Sequence, residues 1–100
     1  GYEVVCVADG SSGLAQIKEQ QPDLVISDID MPGLNGLEVL RQLRIDRTTA
    51  SLPVILCTSA EEYSYRRLAQ KLNAVYITKP FYPAEMLIAI AQQLAQHSPT

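Results

Sequence analysis

The stretch that decides the fold is VISDIDMPG, Val25–Gly33. An apolar run ends abruptly in two aspartates, Asp28 and Asp30, with one residue between them. Met31-Pro32-Gly33 follows at once and stops any regular element. The run itself, DLVIS (Asp23–Ser27), is continuously apolar after its first residue. That is the pattern of a strand covered on both faces. Asp28 therefore stands at the carboxyl end of a buried strand, and the question is whether it or Asp30 does chemistry.

The flanking segments repeat the theme. YEVVCV (Tyr2–Val7) is rich in β-branched residues and predicts a strand. ADGSS breaks it, and Ser11 or Ser12 is placed to cap a helix carrying Leu14 and Ile17 that ends before Pro22. After Gly36, the residues Leu37, Leu40 and Leu43 recur at helical spacing, with Arg41 and Arg44 expected to face outward. IDRTTAS (Ile45–Ser51) is a polar loop. Pro53 opens a third strand, VILC, and Ser59 with Glu62 forms a candidate capping box for the next helix. AVYIT (Ala74–Thr78) is a fourth strand. Pro83 suits the first turn of a last helix, with Met86, Leu87, Ile90 and Leu94 expected on one face. The order βαβαβαβα predicts an α/β fold: a doubly wound parallel sheet between helices, in three layers.

One hundred residues, 47% of them apolar, are enough for one domain with a real core. A net charge of -3 argues against a nucleic-acid interface, which needs a basic face. Cys6 and Cys57 each sit inside an apolar run. Neither has a CxxC or histidine companion, so they predict reduced core thiols rather than a metal site. No apolar run approaches the roughly 18 residues that cross a membrane, and no signal peptide opens the sequence. HSPT at the end reads as a frayed tail, with His97 given no partner.

In a parallel sheet, function gathers at the carboxyl ends of the strands. Asp9 follows the first strand. Asp28 and Asp30 end the second, Thr58 and Ser59 the third, and Lys79 and Pro80 the fourth. Singly these residues have ordinary explanations. An aspartate caps or turns the chain, a threonine ends a strand, a lysine is solvated, and Asp9 suits a turn better than a ligand role. Together they place a carboxylate, a hydroxyl and an ammonium on one edge of the sheet. That set suits phosphoryl transfer to a carboxylate: the aspartate is the nucleophile, and the other two meet the phosphoryl oxygens. A divalent ion, magnesium above all, suits the same chemistry.

With these motifs in order, the sequence resembles the receiver domain of two-component response regulators, a flavodoxin-like (CheY-like) fold. PDLVISDIDMPGLNGLEVLRQLR (Pro22–Arg44) is similar to the phosphoacceptor region. PVILCTSA (Pro53–Ala60) is similar to the strand bearing the switch hydroxyl, and VYITKPF (Val75–Phe81) to the strand bearing the switch aromatic and a Lys-Pro pair. ADGSSGL resembles the turn after the family's second strand. The resemblance covers essentially residues 1–100. It implies a cytoplasmic bacterial signalling module, not an enzyme. Asp28 would take the phosphoryl group from a histidine kinase or phosphotransfer protein. Thr58 and Lys79 would contact that group, and Tyr76 would switch position with Thr58. Mg2+ would be held by Asp28 and the backbone carbonyl of Asp30. The Lys79–Pro80 bond is expected to be cis.

Two other readings are weighed. Asp28-x-Asp30 also fits the DxD motif of haloacid-dehalogenase-like phosphatases, but the chain is short for them and has no later acidic pair. A degenerate receiver acting only through protein contacts is the other. It matters because the resemblance starts at the family's second strand. The first strand, its helix and the acidic pair that carries much of the magnesium binding are not in the sequence. A missing central strand would leave a gap of about 10 Å between the Tyr2–Val7 and Leu24–Asp28 strands. The sequence could belong to a longer chain, borrow a strand by swapping, or pair the flanking strands directly. If the chain starts at Gly1, weak or absent Mg2+-dependent phosphorylation is expected, together with self-association through the open sheet. A second apolar stripe on the last helix (Ala84, Ile88, Ala91, Ala95), with Tyr63, Arg66 and Arg67 before it, is a candidate surface for a homodimer or output domain beside the Tyr76 strand.

Overall fold

The computed structural model describes residues 2–30, 35–58 and 63–96. Eight elements alternate: β1 (Val4–Val7), α1 (Gly10–Gln20), β2 (Leu24–Asp28), α2 (Gly36–Ile45), β3 (Val54–Thr58), α3 (Tyr63–Lys71), β4 (Val75–Thr78) and α4 (Pro83–Gln96). All four strands are parallel, in the order β1-β2-β3-β4. The α/β class and the element order expected from the sequence are those observed.

The gap is not there. β1 pairs β2 directly, with Val4 opposite Leu24 and Val7 opposite Ser27. The Asp23 N–H donates to the Glu3 carbonyl, and the Glu3 N–H to the Asp23 carboxylate at 2.7 Å. Buried backbone groups must find partners, and direct pairing supplies them. The radius of gyration, 12.5 Å, is that of a closed domain of this length.

A sheet wound in one direction with right-handed crossovers places its connecting helices on one face. Accordingly α1, α2 and α3 cover one side, over Val5, Val7, Val25, Ile29, Val54 and Leu56. α2 supplies Leu37, Val39, Leu40 and Leu43, all buried, each worth about 1.5–3 kcal/mol. On the other side α4 alone packs over Leu24, Ile55, Cys57 and Ile77. That helix does not reach the β1 edge, where Val4 and Cys6 are exposed. Cys6 is therefore not the core thiol expected from its apolar run; Cys57 is.

Local expectations are corrected in three places. Asp9, not Ser11 or Ser12, caps α1: its Oδ1 accepts from both serine N–H groups at 3.0 and 3.2 Å. Arg44 does not face outward. Its Nε donates to the Leu72 carbonyl at 2.6 Å, Nη1 to Leu52 at 2.8 Å and Thr49 at 3.3 Å, and Nη2 to Asn73 at 3.3 Å. It ties two loops below the strands, and burial lowers its pKa. Leu87 is 66% exposed rather than on the core face of α4, where Met86, Ala89, Ile90 and Leu94 pack. Ile88 is exposed as expected. The capping box at Ser59 and Glu62 and the tail with His97 lie outside the described residues.

Candidate functional site

Ile29 explains why both aspartates reach solvent. It is 2% exposed, its N–H donates to the Cys57 carbonyl, and its own carbonyl accepts from Gly36 N–H. With Ile29 pinned into the α1–α3 side, alternation turns Asp28 and Asp30 the other way. Behind them α2 begins at Gly36, capped by the Asn35 side chain, which accepts the Glu38 N–H at 3.0 Å. A Cβ on Gly36 would lie 2.4 Å from the Asp28 carbonyl oxygen and 2.9 Å from Ile29 Cα. Only a glycine lets the helix start so close to the aspartate's backbone.

The two oxygens of Asp28 have different partners. Oδ1 accepts the Asp30 backbone N–H at 3.1 Å. Oδ2 forms an ion pair with Lys79 Nζ, reached across β3 from the end of β4. That contact raises the lysine's pKa, with burial opposing it. The Lys79–Pro80 bond is cis, and Lys79 N–H donates to the Thr58 carbonyl at 2.7 Å. Asp28 lies opposite Cys57 in the ladder, so the Cys57 thiol is the nearest neighbour from β3 on that side. Burial pushes this thiol up, and Lys79 partly offsets the effect.

Thr58 stands one residue further along β3 than the partner of Asp28 and is fully buried. By alternation its side chain starts on the α1–α3 side, as does that of Tyr76, which packs against the core there. The structure thus joins Asp28 and Lys79 directly and sets Thr58 on the opposite face of the same edge, with Tyr76 two residues further back on that face, opposite Leu56. Asp30 is exposed beside Asp28. Sequence reasoning named Gly36, Cys57 and Asp30 but not what each does at this edge. Gly36 would have needed the packing of α2 on Ile29. Cys57 would have needed the β2–β3 register. The backbone N–H of Asp30 would have needed the turn.

A cleft of about 440 Å³ lies elsewhere, lined by Arg44, Ser51, Gln70, Asn73 and Gln93 among others, at the amino ends of the strands. It lacks an ionisable carboxylate, and the strand-end rule favours the Asp28 edge.

A sequence model of the response regulator receiver domain matches residues 1–91. The chain belongs to the response regulator receiver domain family. Among solved structures, this receiver domain is similar to a response regulator from Chloroflexus aurantiacus, with 30% identity over 89% of this chain and 74% of that one, at a TM-score of 0.81. It is also similar to a DNA-binding response regulator of the LuxR family from Staphylococcus aureus, with 30% identity over 86% and 71% and a TM-score of 0.79. A CheY-like receiver domain protein from Methanospirillum hungatei shows 27% identity over 89% and 70%, with a TM-score of 0.80. Receiver domains are signalling domains, and the family favours that reading of Asp28-x-Asp30 over a phosphatase. No helix among the described residues of this receiver is long and apolar enough to cross a membrane.

Receiver domains generally bind Mg2+. Magnesium wants near-octahedral oxygen ligands and is usually held by one or two carboxylates with waters and phosphate oxygens. Here one oxygen of Asp28 is taken by an ammonium and the other by a backbone N–H. Among the described residues no group of three acidic, histidine or cysteine side chains converges. This donor set does not by itself fit a tightly held magnesium ion.

Proposed function

We propose that this receiver domain is a phosphoacceptor switch and that Asp28 takes the phosphoryl group. The observation that carries this is the ion pair of Asp28 with Lys79 at the carboxyl edge of the sheet. A carboxylate oxygen of Asp28 attacks the phosphorus of a phosphohistidine on a kinase or phosphotransfer protein. The P–N bond breaks, and the imidazole leaves with the electron pair and takes up a proton. The product is an acyl phosphate. Lys79, already beside Oδ2, is placed to pair with a phosphoryl oxygen as a point charge. The Asp30 N–H keeps the carboxylate oriented. Thr58 must turn toward the new group from the other face, and Tyr76, on that face, is placed to move with it.

Asp28 and the carbonyl of Asp30 are the groups this chain would offer magnesium, and metal acceleration is expected to be weak. The family's partners, a histidine kinase upstream and an output domain or second copy downstream, suit the side formed by α3, β4 and α4, where Ile88 is 57% exposed. The domain is read as spanning residues 1–100, aligned from the family's second strand. Incubation with acetyl phosphate, followed by intact mass, tests the assignment. One hydroxylamine-labile phosphoryl group is expected, absent in Asp28→Asn and present in Asp30→Asn. An adduct that survives Asp28→Asn would overturn it.

A further inference from the structure

Arg66 sits on α3 with its guanidinium carbon 4.7 Å from the centroid of the Tyr76 ring. This is inside the range in which the ring's negative face attracts a cation. Both side chains are half-buried, so the contact is partly shielded from water. α3 is a poor helix for packing. It runs YSYRRLAQK, and Ala69 is the fully buried side chain among its described residues, with Tyr65 and Leu68 only partly covered. The stack ties α3 to β4 directly. That helix follows Thr58 through residues 59–62.

We infer that Arg66 is a positioning residue for Tyr76. Its stack holds the ring in the resting rotamer and sets how readily the Thr58–Tyr76 pair changes state. A different rotamer carries the ring away from the guanidinium, so the contact stabilises only the present arrangement. By linkage, removing it favours the state that a phosphoryl group on Asp28 selects. This consequence rests on Asp28 being the phosphoacceptor, whereas the effect on the ring does not.

The test compares Arg66→Met, which keeps the aliphatic packing, with Arg66→Lys, which keeps the cation. Tyr76 rotamer populations are read by NMR couplings in tyrosine-labelled, unmodified chain. Affinity for beryllofluoride, a phosphoryl mimic, is read separately. Arg66→Met should raise the minor rotamer and tighten beryllofluoride binding by roughly two- to fivefold, the range of an exposed cation–π contact. Arg66→Lys should stay near wild type. Rotamer populations unmoved by Arg66→Met, or moved equally by both variants, would overturn the inference. Failure of the wild type to bind beryllofluoride would instead overturn the phosphoacceptor reading, with the rotamer result still deciding the role of Arg66.

Discussion

The two faces of the sheet share the same four strands and are built unequally. On one, α1, α2 and α3 bury Val5, Val7, Val25, Ile29, Val54 and Leu56 under a continuous layer that includes Ile17, Leu40 and Leu43. On the other, α4 alone buries Leu24, Ile55, Cys57 and Ile77, and the β1 end lies open at Val4 and Cys6. The carboxyl edge divides the same way. Asp28 and Lys79 end the thinly covered face, while Thr58 ends the thickly covered one, with Tyr76 further back on it opposite Leu56. Under the proposed function the chemistry would sit where a donor can approach, and the response where packing can turn a small shift into a change of state. The two meet at the edge of the sheet, where the Lys79 N–H donates to the Thr58 carbonyl.

The largest expected effect breaks the thick face. Leu40→Ala should cost about 2–5 kcal/mol, as for a fully buried leucine. Leu94→Ala, on the partly covered helix, should cost no more than about half of that. Urea unfolding of the two variants checks the contrast, and equal losses would mean the faces are not unequal in energy.

Gly36→Ala strikes the joint between the thick face and the site. A new methyl 2.4 Å from the Asp28 carbonyl oxygen must push α2 or the aspartate's backbone aside. A loss of about 1–3 kcal/mol is expected. Labelling of Asp28 by acetyl phosphate should slow beyond what the stability loss explains, which time courses in the fully folded range would show.

Much of this was legible in the sequence, for identifiable reasons. The strands are short apolar runs bounded by Gly, Pro and Asp, and six ionisable or hydroxyl residues (Asp9, Asp28, Asp30, Thr58, Ser59 and Lys79) fall at or just past their ends. Strand-end placement follows from such punctuation without any knowledge of packing. What could not be read was pairing. The sequence pattern of β1 is compatible with a neighbour on either side, and only the need to satisfy backbone groups selects β2. Arg44 looked solvent-facing because its spacing puts it beside the apolar stripe of α2. The carbonyls that draw it in come from loops far along the chain. Cys6 looked like core because strand sequences do not reveal which face lacks a helix. Asp9 was passed over as a cap because two serines follow it, yet the β conformation of Asp9 places its carboxylate over their N–H groups.

The cysteines sharpen the comparison from the other side. Cys6 is exposed on the open face, whereas Cys57 is buried under α4 with its pKa raised. A maleimide should label Cys6 about tenfold faster or more, since the thiolate is the reactive form. Peptide mapping of a partial reaction decides it, and equal rates would show that α4 does not shield Cys57.

The smallest effect is in pH. Lys79 has its pKa raised above 10.5 by Asp28. Its contribution to stability is fully present below that value and fades as pH rises through the raised one. The pair is partly exposed, so the change should be at most about 1 kcal/mol. The urea midpoint should fall at alkaline pH in the wild type and less steeply in Asp28→Asn. At the acid end Asp46, held low chiefly by the Thr48 N–H and hydroxyl, contributes stability above 3.8 that is lost as pH falls through its depressed value.

The central claim is that, of the two aspartates flanking Ile29, Asp28 alone accepts the phosphoryl group. Borohydride reduction of the phosphorylated chain converts an aspartyl phosphate to homoserine, and tandem mass spectrometry locates it. Homoserine at the position of Asp28, and none at that of Asp30, is the predicted result. Homoserine at the position of Asp30 would contradict the claim.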